Sequence, residues 1–331
     1  MSCLPQSVPA HLSKANPLFW TPVADNFDWA NLDLSKSYAI SGTAFIDLAN
    51  PYGPMGNPFA VVIGAGTKDM TKKQCVRIAQ FTRTPETVFI RAWHATSQGR
   101  YEMALTVLTP TGKELGACAH GFTGAVQTLL KRGQLTLGAQ IAVRTTLSTS
   151  ARVLVSTKGV ISLEFEPQEP RSLYVESKTL KNIFTVAVVA ESAELPVRSV
   201  GSPKLIIELS PEQFEIVRQS LNRLDYDKLL AFEDQEHING IHLFCRDQRS
   251  KLPSKAMQVN AFLGRDFVVD LATGISAAAQ LSSDENVATG TQVNITQYTG
   301  KGPTAILQLT KQAQTVRVGG SAVLFNYQPV L

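Results

Sequence analysis

The amino-acid sequence predicts an α+β protein built from two similar lobes, each with a helix at its centre. The chain has 331 residues, which suggests two domains at roughly 100–200 residues each. Short apolar runs typical of strands alternate with fewer amphipathic stretches typical of helices. Two segments, GACAHGFTGAV and LATGISAAAQL, share one pattern: a strand end, a run of small residues and then a helix. This indicates a faint internal duplication, although small residues also simply let a helix pack closely on a strand.

We expect four segments along the chain. Residues 1–36 are rich in Pro, Asn, Asp and Ser and predict an arm that lies along a surface. Residues 37–150 are expected to form the first lobe and residues 151–310 the second. Residues 311–331 have the pattern of strands, which we expect to return to the first lobe.

Local signals place several elements within these segments. Residues 69–81 are amphipathic and predict a helix. A second helix should follow residues 116–119 and end near residues 131–133, where Lys, Arg and Gly form a stop signal. Residues 210–213, Ser-Pro-Glu-Gln, predict a helix start with a capping Ser, a Pro at the first position and a capping box closed by Gln. The apolar run TVAVVA, residues 185–190, predicts a strand.

Composition and charge exclude several functional classes. The net charge is only +4, and 44% of the residues are hydrophobic. No basic run with interleaved aromatic residues occurs, so we expect no nucleic-acid partner. The four cysteines are far apart and form no CxxC pair: Cys3, Cys75, Cys118 and Cys245. That spacing predicts no metal site, and scattered cysteines suit a reducing compartment.

The sequence carries no evident targeting or membrane signal. The first twenty residues contain no continuous apolar core, so we expect no signal peptide. No stretch of about 18 apolar residues that would span a bilayer occurs. We therefore expect a cytoplasmic protein with no membrane partner.

The two predicted central helices suggest a chemistry by themselves. The N-terminus of a helix offers unpaired backbone N–H groups and a partial positive charge, which can hold a carboxylate or a developing oxyanion. Glycine and alanine at this place let a ligand approach the backbone closely. Two such helix ends facing one cleft would bind a small anion without a metal or an organic cofactor.

Five segments, in order, resemble the phenazine-biosynthesis (PhzF-like) isomerase family. GTAFIDLANPYGPMGNPFAVVI resembles the family's opening, with Gly56 and Asn57 in its Gly-Asn-Pro. IAQFTRTPETVFI resembles the passage that carries the family's acid/base glutamate, here Glu86. LTPTGKELGACAHGFTGAV resembles the Cys-Gly-His segment, here residues 118–120. FLGRDFVVDLATGISAAA resembles the Glu-Asp-Pro-x-Thr-Gly-Ser segment, and VRVGGSAVLF resembles the terminal strand pair.

The resemblance runs from about Tyr38 to Phe325 and implies a fold and an activity. The fold is the diaminopimelate-epimerase-like one: two lobes, each a mixed β-sheet (an open barrel) wrapped around a central α-helix, with the active site in the cleft between them. The activity is that of a cofactor-independent isomerase of biosynthesis or secondary metabolism, which moves a proton on a small, unsaturated substrate. A homodimer is the family's habit.

The resemblance also implies roles for individual residues. Glu86 would carry the proton, and His120 and Asp270 would position and polarise the substrate. A carboxyl group removed from water holds its proton more tightly, which suits a group that takes up and returns a proton. Without the resemblance, Glu86 could be a solvated turn residue, His120 could bridge buried backbone, and Asp270 could assist the next helix. The implied substrate-binding residues are Gly56, Asn57, Cys118, Ala119, Gly121, Thr273, Gly274, Ile275 and Ser276.

Departures from the family's pattern leave alternatives open. Ala119 replaces the glycine of Cys-Gly-His, and Ile275 replaces a serine, which removes an anion donor and makes the pocket more apolar. Related epimerases use two cysteines, but Thr273 stands at the second place, so we expect no thiol-pair racemase. The substrate should therefore differ from the family's amino-acid-like acids. The alternatives are an altered member that binds a small molecule or assembles with a partner, and dehydration or cyclisation at the same site.

Overall fold

The protein divides into two compact units. One contains the chain up to Glu164 together with the C-terminal part from Gly319, and the other is Phe165–Val318. The computed structural model describes residues 27–46, 56–147, 150–271 and 273–330. Most of the predicted N-terminal arm lies outside the described residues.

The first unit contains an eight-strand mixed barrel. The strand order runs from the first strand to the seventh and then to the last strand of the chain, which pairs with the first strand and closes the barrel. Parallel and antiparallel neighbours both occur. The strands are β1 (Tyr38–Ile46), β2 (Asn57–Ile63), β3 (Thr87–Ser97), β4 (Arg100–Leu108), β5 (Gln140–Thr145), β6 (Ser150–Val155), β7 (Ile161–Phe165) and β16 (Val316–Pro329).

Two α-helices belong to this unit. Helix α1 (Lys72–Thr82) begins after Thr71, whose hydroxyl accepts from the backbone N–H of Gln74 in a reciprocal capping box. Helix α2 (Ala119–Lys131) has ten of its thirteen residues buried and contacts β1, β2 and β3. A helix that is buried on nearly all sides belongs to a core. Helix α2 is therefore the central helix of the barrel.

The second unit is also a mixed sheet with a central helix. Its strand order is β8-β9-β10-β11-β12-β14-β15, with β13 paired to β12. The strands are β8 (Arg171–Val175), β9 (Ala193–Arg198), β10 (Lys204–Glu208), β11 (Ile241–Arg246), β12 (Pro253–Val259), β13 (Val269–Asp270), β14 (Gln292–Thr299) and β15 (Gly302–Lys311). The helices are α3 (Ser177–Phe184), α4 (Pro211–Ser220), α5 (Tyr226–Glu236) and α6 (Gly274–Ser282).

Helix α6 takes the central place in this unit. Eight of its nine residues are buried, and it contacts β10 and β15. The predicted fold class, two similar α+β units that each place a mixed sheet around a central helix, is confirmed. Among the described helices, none is long and apolar enough to cross a membrane.

Two local predictions were wrong: a strand at residues 185–190 and the second half of a capping box at Gln213. Residues 185–190 form bends and not a strand, because α3 ends at Phe184 and Thr185 adopts a left-handed conformation with φ 62°. Helix α4 begins where predicted, and the Ser210 hydroxyl accepts from the backbone N–H of Gln213. The Gln213 side chain, however, donates to the Ala187 carbonyl. The reciprocal half of the predicted capping box is therefore used in a tertiary contact.

Gly124 tests how tightly α2 packs in the barrel. A Cβ atom at this position would overlap the ring of Phe59 on β2. Alanine favours a helix over glycine by about 0.5–1 kcal/mol, but overpacking a core costs about 1–3 kcal/mol. We therefore expect Gly124→Ala to lower the free energy of unfolding, measured by urea denaturation. Phe59→Leu should relieve the loss when combined with it, and simple additivity of the two changes would contradict the packing argument.

Candidate active site

A buried pair of ionisable side chains marks the first unit. The Oε2 atom of Glu86 lies 2.8 Å from Nε2 of His120. The two residues are only 6% and 4% exposed, respectively. The approach is that of an ion pair rather than a well-aligned hydrogen bond. Two ionisable groups are seldom buried together unless they compensate each other, so this pair is the natural candidate for chemistry.

A cluster of hydroxyl groups fixes the turn that carries Glu86. Helix α1 ends at Thr82, and Arg83 reverses the chain in a left-handed conformation with φ 51°. The Thr84 hydroxyl donates to the Glu86 carbonyl over 2.8 Å, and the hydroxyls of Thr82 and Thr87 are also 2.8 Å apart. All three threonines are fully buried. The backbone on both sides of Glu86 is thereby held in one geometry.

His120 is held from its other ring nitrogen. It is the second residue of α2, and its Nδ1 lies 3.1 Å from the side-chain nitrogen of Asn57. A neutral ring accepts at Nδ1 from the amide nitrogen, whereas an imidazolium donates to the amide oxygen of a turned-over Asn57. Gly56 precedes Asn57 with φ 72°, and a Cβ there would overlap the Ala44 carbonyl oxygen. Glycine at 56 is therefore needed to place Asn57.

The neighbouring groups decide the charge of this pair. Burial disfavours the imidazolium, but the adjacent Cys118 and Glu86 outweigh burial and raise the pKa of His120 well above its ordinary value. Burial also raises the pKa of the Cys118 thiol. The pair thus brings a carboxyl group and an imidazole of raised pKa into direct contact.

The start of α2 packs closely against this pair. Cys118 is the N-cap residue without a side-chain capping bond, and its sulfur lies 3.6 Å from Nε2 of His120. Ala119 is buried. A Cβ at Gly121 would overlap Val88 and the Cys118 sulfur, so Gly121 lets the helix end approach β3. Contact of these residues with a substrate stays a prediction.

The remaining predicted residues surround the start of α6 in the second unit. Asp270 is buried and lies opposite Gln258 in the register of β13 and β12. Thr273 caps α6, and its hydroxyl donates to Oε1 of Gln258 over 2.8 Å. The Ser276 hydroxyl donates to the same oxygen. Ile275 is buried, as is Gly274. The two hydroxyls are thus engaged within the protein.

Sequence reasoning found some of these residues and missed others. In the first unit Cys118 and His120 lie next to Glu86, and Asn57 contacts His120. The threonine cluster and Gln258 were missed, although the repeated threonines of TRTPET around Glu86 were a readable signal.

A metal could be held only where several side chains that can bind it lie close together. Within the described part of the chain one such group occurs, with ligand atoms of Glu86, Cys118 and His120 within 4.8 Å of one another.

Solved structures share this fold. A PhzF-family phenazine biosynthesis protein from Bacillus anthracis is 17% identical, with a TM-score of 0.61, over 89% of this chain and 99% of that one. A predicted epimerase from Pseudomonas aeruginosa is 17% identical, with a TM-score of 0.63, over 90% and 99%. A hydroxyproline epimerase from Agrobacterium vitis is 10% identical, with a TM-score of 0.55, over 88% and 91%. A search of curated proteins found no match.

The fold and the buried pair define an α+β protein with the epimerase-like fold and a buried carboxyl–imidazole pair. A family model, the phenazine biosynthesis-like proteins (PhzC-PhzF), matches residues 50–327. The chain belongs to the PhzC-PhzF family. Membership of this family supports an enzyme of the isomerase or epimerase type.

Thr84 provides a test of the hydroxyl cluster. Thr84→Val keeps the shape but leaves the buried Glu86 carbonyl without its donor. We expect the free energy of unfolding to fall by about 1–3 kcal/mol, the cost of an unsatisfied buried polar group. Thr84→Ser keeps the hydroxyl and should lose much less. Urea denaturation compares the two variants, and equal stability of Val and Ser at this position would refute the role of the hydroxyl.

Proposed function

We propose that the protein is a cofactor-independent isomerase that moves a proton on a small, unsaturated metabolite by carboxylate general acid/base catalysis. The observation that carries this proposal is the buried pair of Glu86 and His120, 2.8 Å apart. General acid/base catalysis needs a group that takes and returns a proton at a fixed place. The hydroxyl cluster around Glu86 supports such a fixed place.

The proposed reaction needs one carboxylate. Glu86 removes a proton from one carbon of the substrate, and the electron pair shifts along the adjacent double bond. The same carboxyl group then returns the proton to a second carbon on the same face. The charge that develops in between is stabilised by the imidazolium of His120 and by the partial positive charge at the start of α2. By the family resemblance, Asp270 helps to position the substrate.

The alternative chemistry of a thiol pair has little support here. Burial raises the pKa of the Cys118 thiol, which opposes formation of a thiolate. The place of the second cysteine in related epimerases is taken by Thr273, whose hydroxyl is bonded to Gln258. A racemase with one thiol on each face of the substrate is therefore not proposed.

A second candidate function is favoured by the start of α6. Ile275 provides no hydroxyl, and the hydroxyls of Thr273 and Ser276 are taken up by Gln258. Backbone N–H groups thus remain the polar groups that this helix end offers to a ligand. The chain could accordingly be an altered family member that binds a small molecule or a partner protein without turnover.

The finer expectations from the sequence accompany this proposal. The cytoplasmic location, the homodimer and the role in secondary metabolism stay predictions. So do the four segment boundaries and the choice among isomerisation, dehydration and cyclisation.

Replacement of Glu86 tests the proposed reaction. Chelator-treated protein is incubated in heavy water with candidate metabolites, and the products are analysed by mass spectrometry. We expect the wild type to yield a product isomer that has gained solvent deuterium. Glu86→Gln should lower the rate by about 10²–10⁴-fold, the usual contribution of a general acid/base. Glu164→Gln is the matched control, because Glu164 is also buried in this unit but pairs with Arg152.

Three outcomes separate the candidates. Conversion that survives in Glu86→Gln overturns the assignment of the acid/base. A product that has lost or gained water, or closed a ring, points to dehydration or cyclisation at the same carboxylate. A metabolite that stays bound to the wild type without conversion, as seen by native mass spectrometry, favours the binding protein.

A further inference from the structure

Gln258 engages the polar side chains at the start of α6, in the second unit. It lies on β12 and is only 1% exposed. Its Oε1 accepts from the Thr273 hydroxyl over 2.8 Å and also from the Ser276 hydroxyl. We propose that Gln258 closes this helix start to carboxylates, so that the end of the substrate received there is uncharged. The closure rests on contacts within this unit, whereas the statement about the substrate rests on the proposed function.

The orientation of the Gln258 amide is fixed by its nitrogen. Nε2 donates to the Oδ1 atom of Asn260, which is fully buried. Because the nitrogen is engaged there, Oε1 is the atom that faces the two hydroxyls. This oxygen uses the O–H hydrogens of both residues. A carboxylate has only acceptor atoms, so it would need those same hydrogens.

The rest of the helix start is also poor in donors for an anion. The Thr273 hydroxyl accepts from the backbone N–H of Ser276 over 3.2 Å, as an N-cap does. This cap takes one of the N–H groups that a helix start leaves without a helical partner. Ile275, which is 6% exposed, adds an apolar side chain. A ligand therefore meets more apolar surface and fewer donors here than a carboxylate requires.

An anion at this place would have to break the network. A carboxylate that takes both hydroxyl hydrogens leaves the buried Oε1 of Gln258 without a donor. An unsatisfied buried acceptor lowers the affinity for such an anion by about 10–100-fold. An uncharged end, such as a hydrocarbon or an ester, has no charge that the hydroxyls must offset, and Ile275 suits it as an apolar neighbour.

The strand that carries Gln258 holds it in this position. Gln258 pairs with His242 on β11 and with Asp270 on β13. A residue paired on both sides within a sheet cannot shift without breaking backbone hydrogen bonds. The sequence did not indicate this role, because Gln258 lies 15 positions before Thr273 and only the folded chain brings the two together.

Titration with a small carboxylate tests the closure without any turnover. Propionate is the anionic probe, propionamide is its neutral counterpart, and the ¹⁵N-labelled amides of Ile275 and Ser276 report binding to the full chain by NMR. We expect the wild type to bind propionate no more tightly than propionamide. Gln258→Leu and Gln258→Met should each bind propionate about 10–100-fold more tightly than the wild type, because the two hydroxyls become available. The affinity for propionamide should change much less.

Three further variants control the measurement. Gln297→Leu removes another fully buried glutamine of this unit, whose amide has no hydrogen-bond partner among the described residues, and it should leave the propionate affinity unchanged. Gln258→Glu keeps an acceptor for the hydroxyls and should stay closed. Ser276→Ala, added to Gln258→Leu, should cancel the gain. Circular dichroism checks folding, and Leu and Met differ in shape, so one folded variant at position 258 is sufficient.

The outcomes separate the closure, the substrate and the reaction. A wild type that binds propionate at Ile275 more tightly than propionamide, or folded variants of Gln258 without a gain, overturns the closure. For the substrate, the deuterium assay compares metabolites that carry a free acid with their methyl esters. The ratio of acid to ester conversion should rise by about tenfold or more in Gln258→Leu, and an unchanged ratio overturns the statement about the substrate. Conversion that survives in Glu86→Gln removes the proposed function but leaves the propionate titration intact.

Discussion

The buried ion pair between Glu86 and His120 is the interaction on which the candidate site depends. A single charge in a protein interior is costly, and a buried pair is tolerated only when the geometry is good and the remaining polar atoms are satisfied. Removing one partner of a buried ion pair leaves the other without compensation, so Glu86 and His120 depend on each other in the interior. The same pairing makes the site useful, since it keeps a carboxyl oxygen and an imidazole nitrogen 2.8 Å apart in the interior.

The scaffold of the first unit meets this constraint by rigid packing. Helix α2 lies inside the barrel because Gly121 and Gly124 let it approach β3 and the Phe59 ring. This close approach brings the helix start, and with it His120, to the turn after α1. The Thr84 hydroxyl donates to the Glu86 carbonyl and the Thr82 and Thr87 hydroxyls contact each other, so the backbone that carries Glu86 is held by hydrogen bonds and not by burial alone.

The second unit repeats the architecture of the first, but the polar groups at the start of its central helix are different. Both central helices begin after a run of small residues, yet the start of α6 engages its hydroxyls with Gln258, whereas Cys118 at the start of α2 has no capping bond. A cap that is satisfied internally stabilises its helix. An N-terminus without such a cap keeps its N–H groups for other partners. The duplication that the sequence indicates therefore applies to the fold more than to the chemistry.

Local chemistry in the sequence determined the fold class, the two central helices and the start of α4 at Ser210, because caps, small residues and apolar periodicity act over a few positions. It did not determine that TVAVVA, residues 185–190, forms bends after a helix whose C-terminal cap is Thr185. It also did not determine that the Gln213 side chain donates to the Ala187 carbonyl. Glu86 and His120 were named by resemblance alone. Only the tertiary structure decided that they, Cys118 and Asn57 lie within contact distance, because closure of the barrel brings residues far apart in the chain to one point.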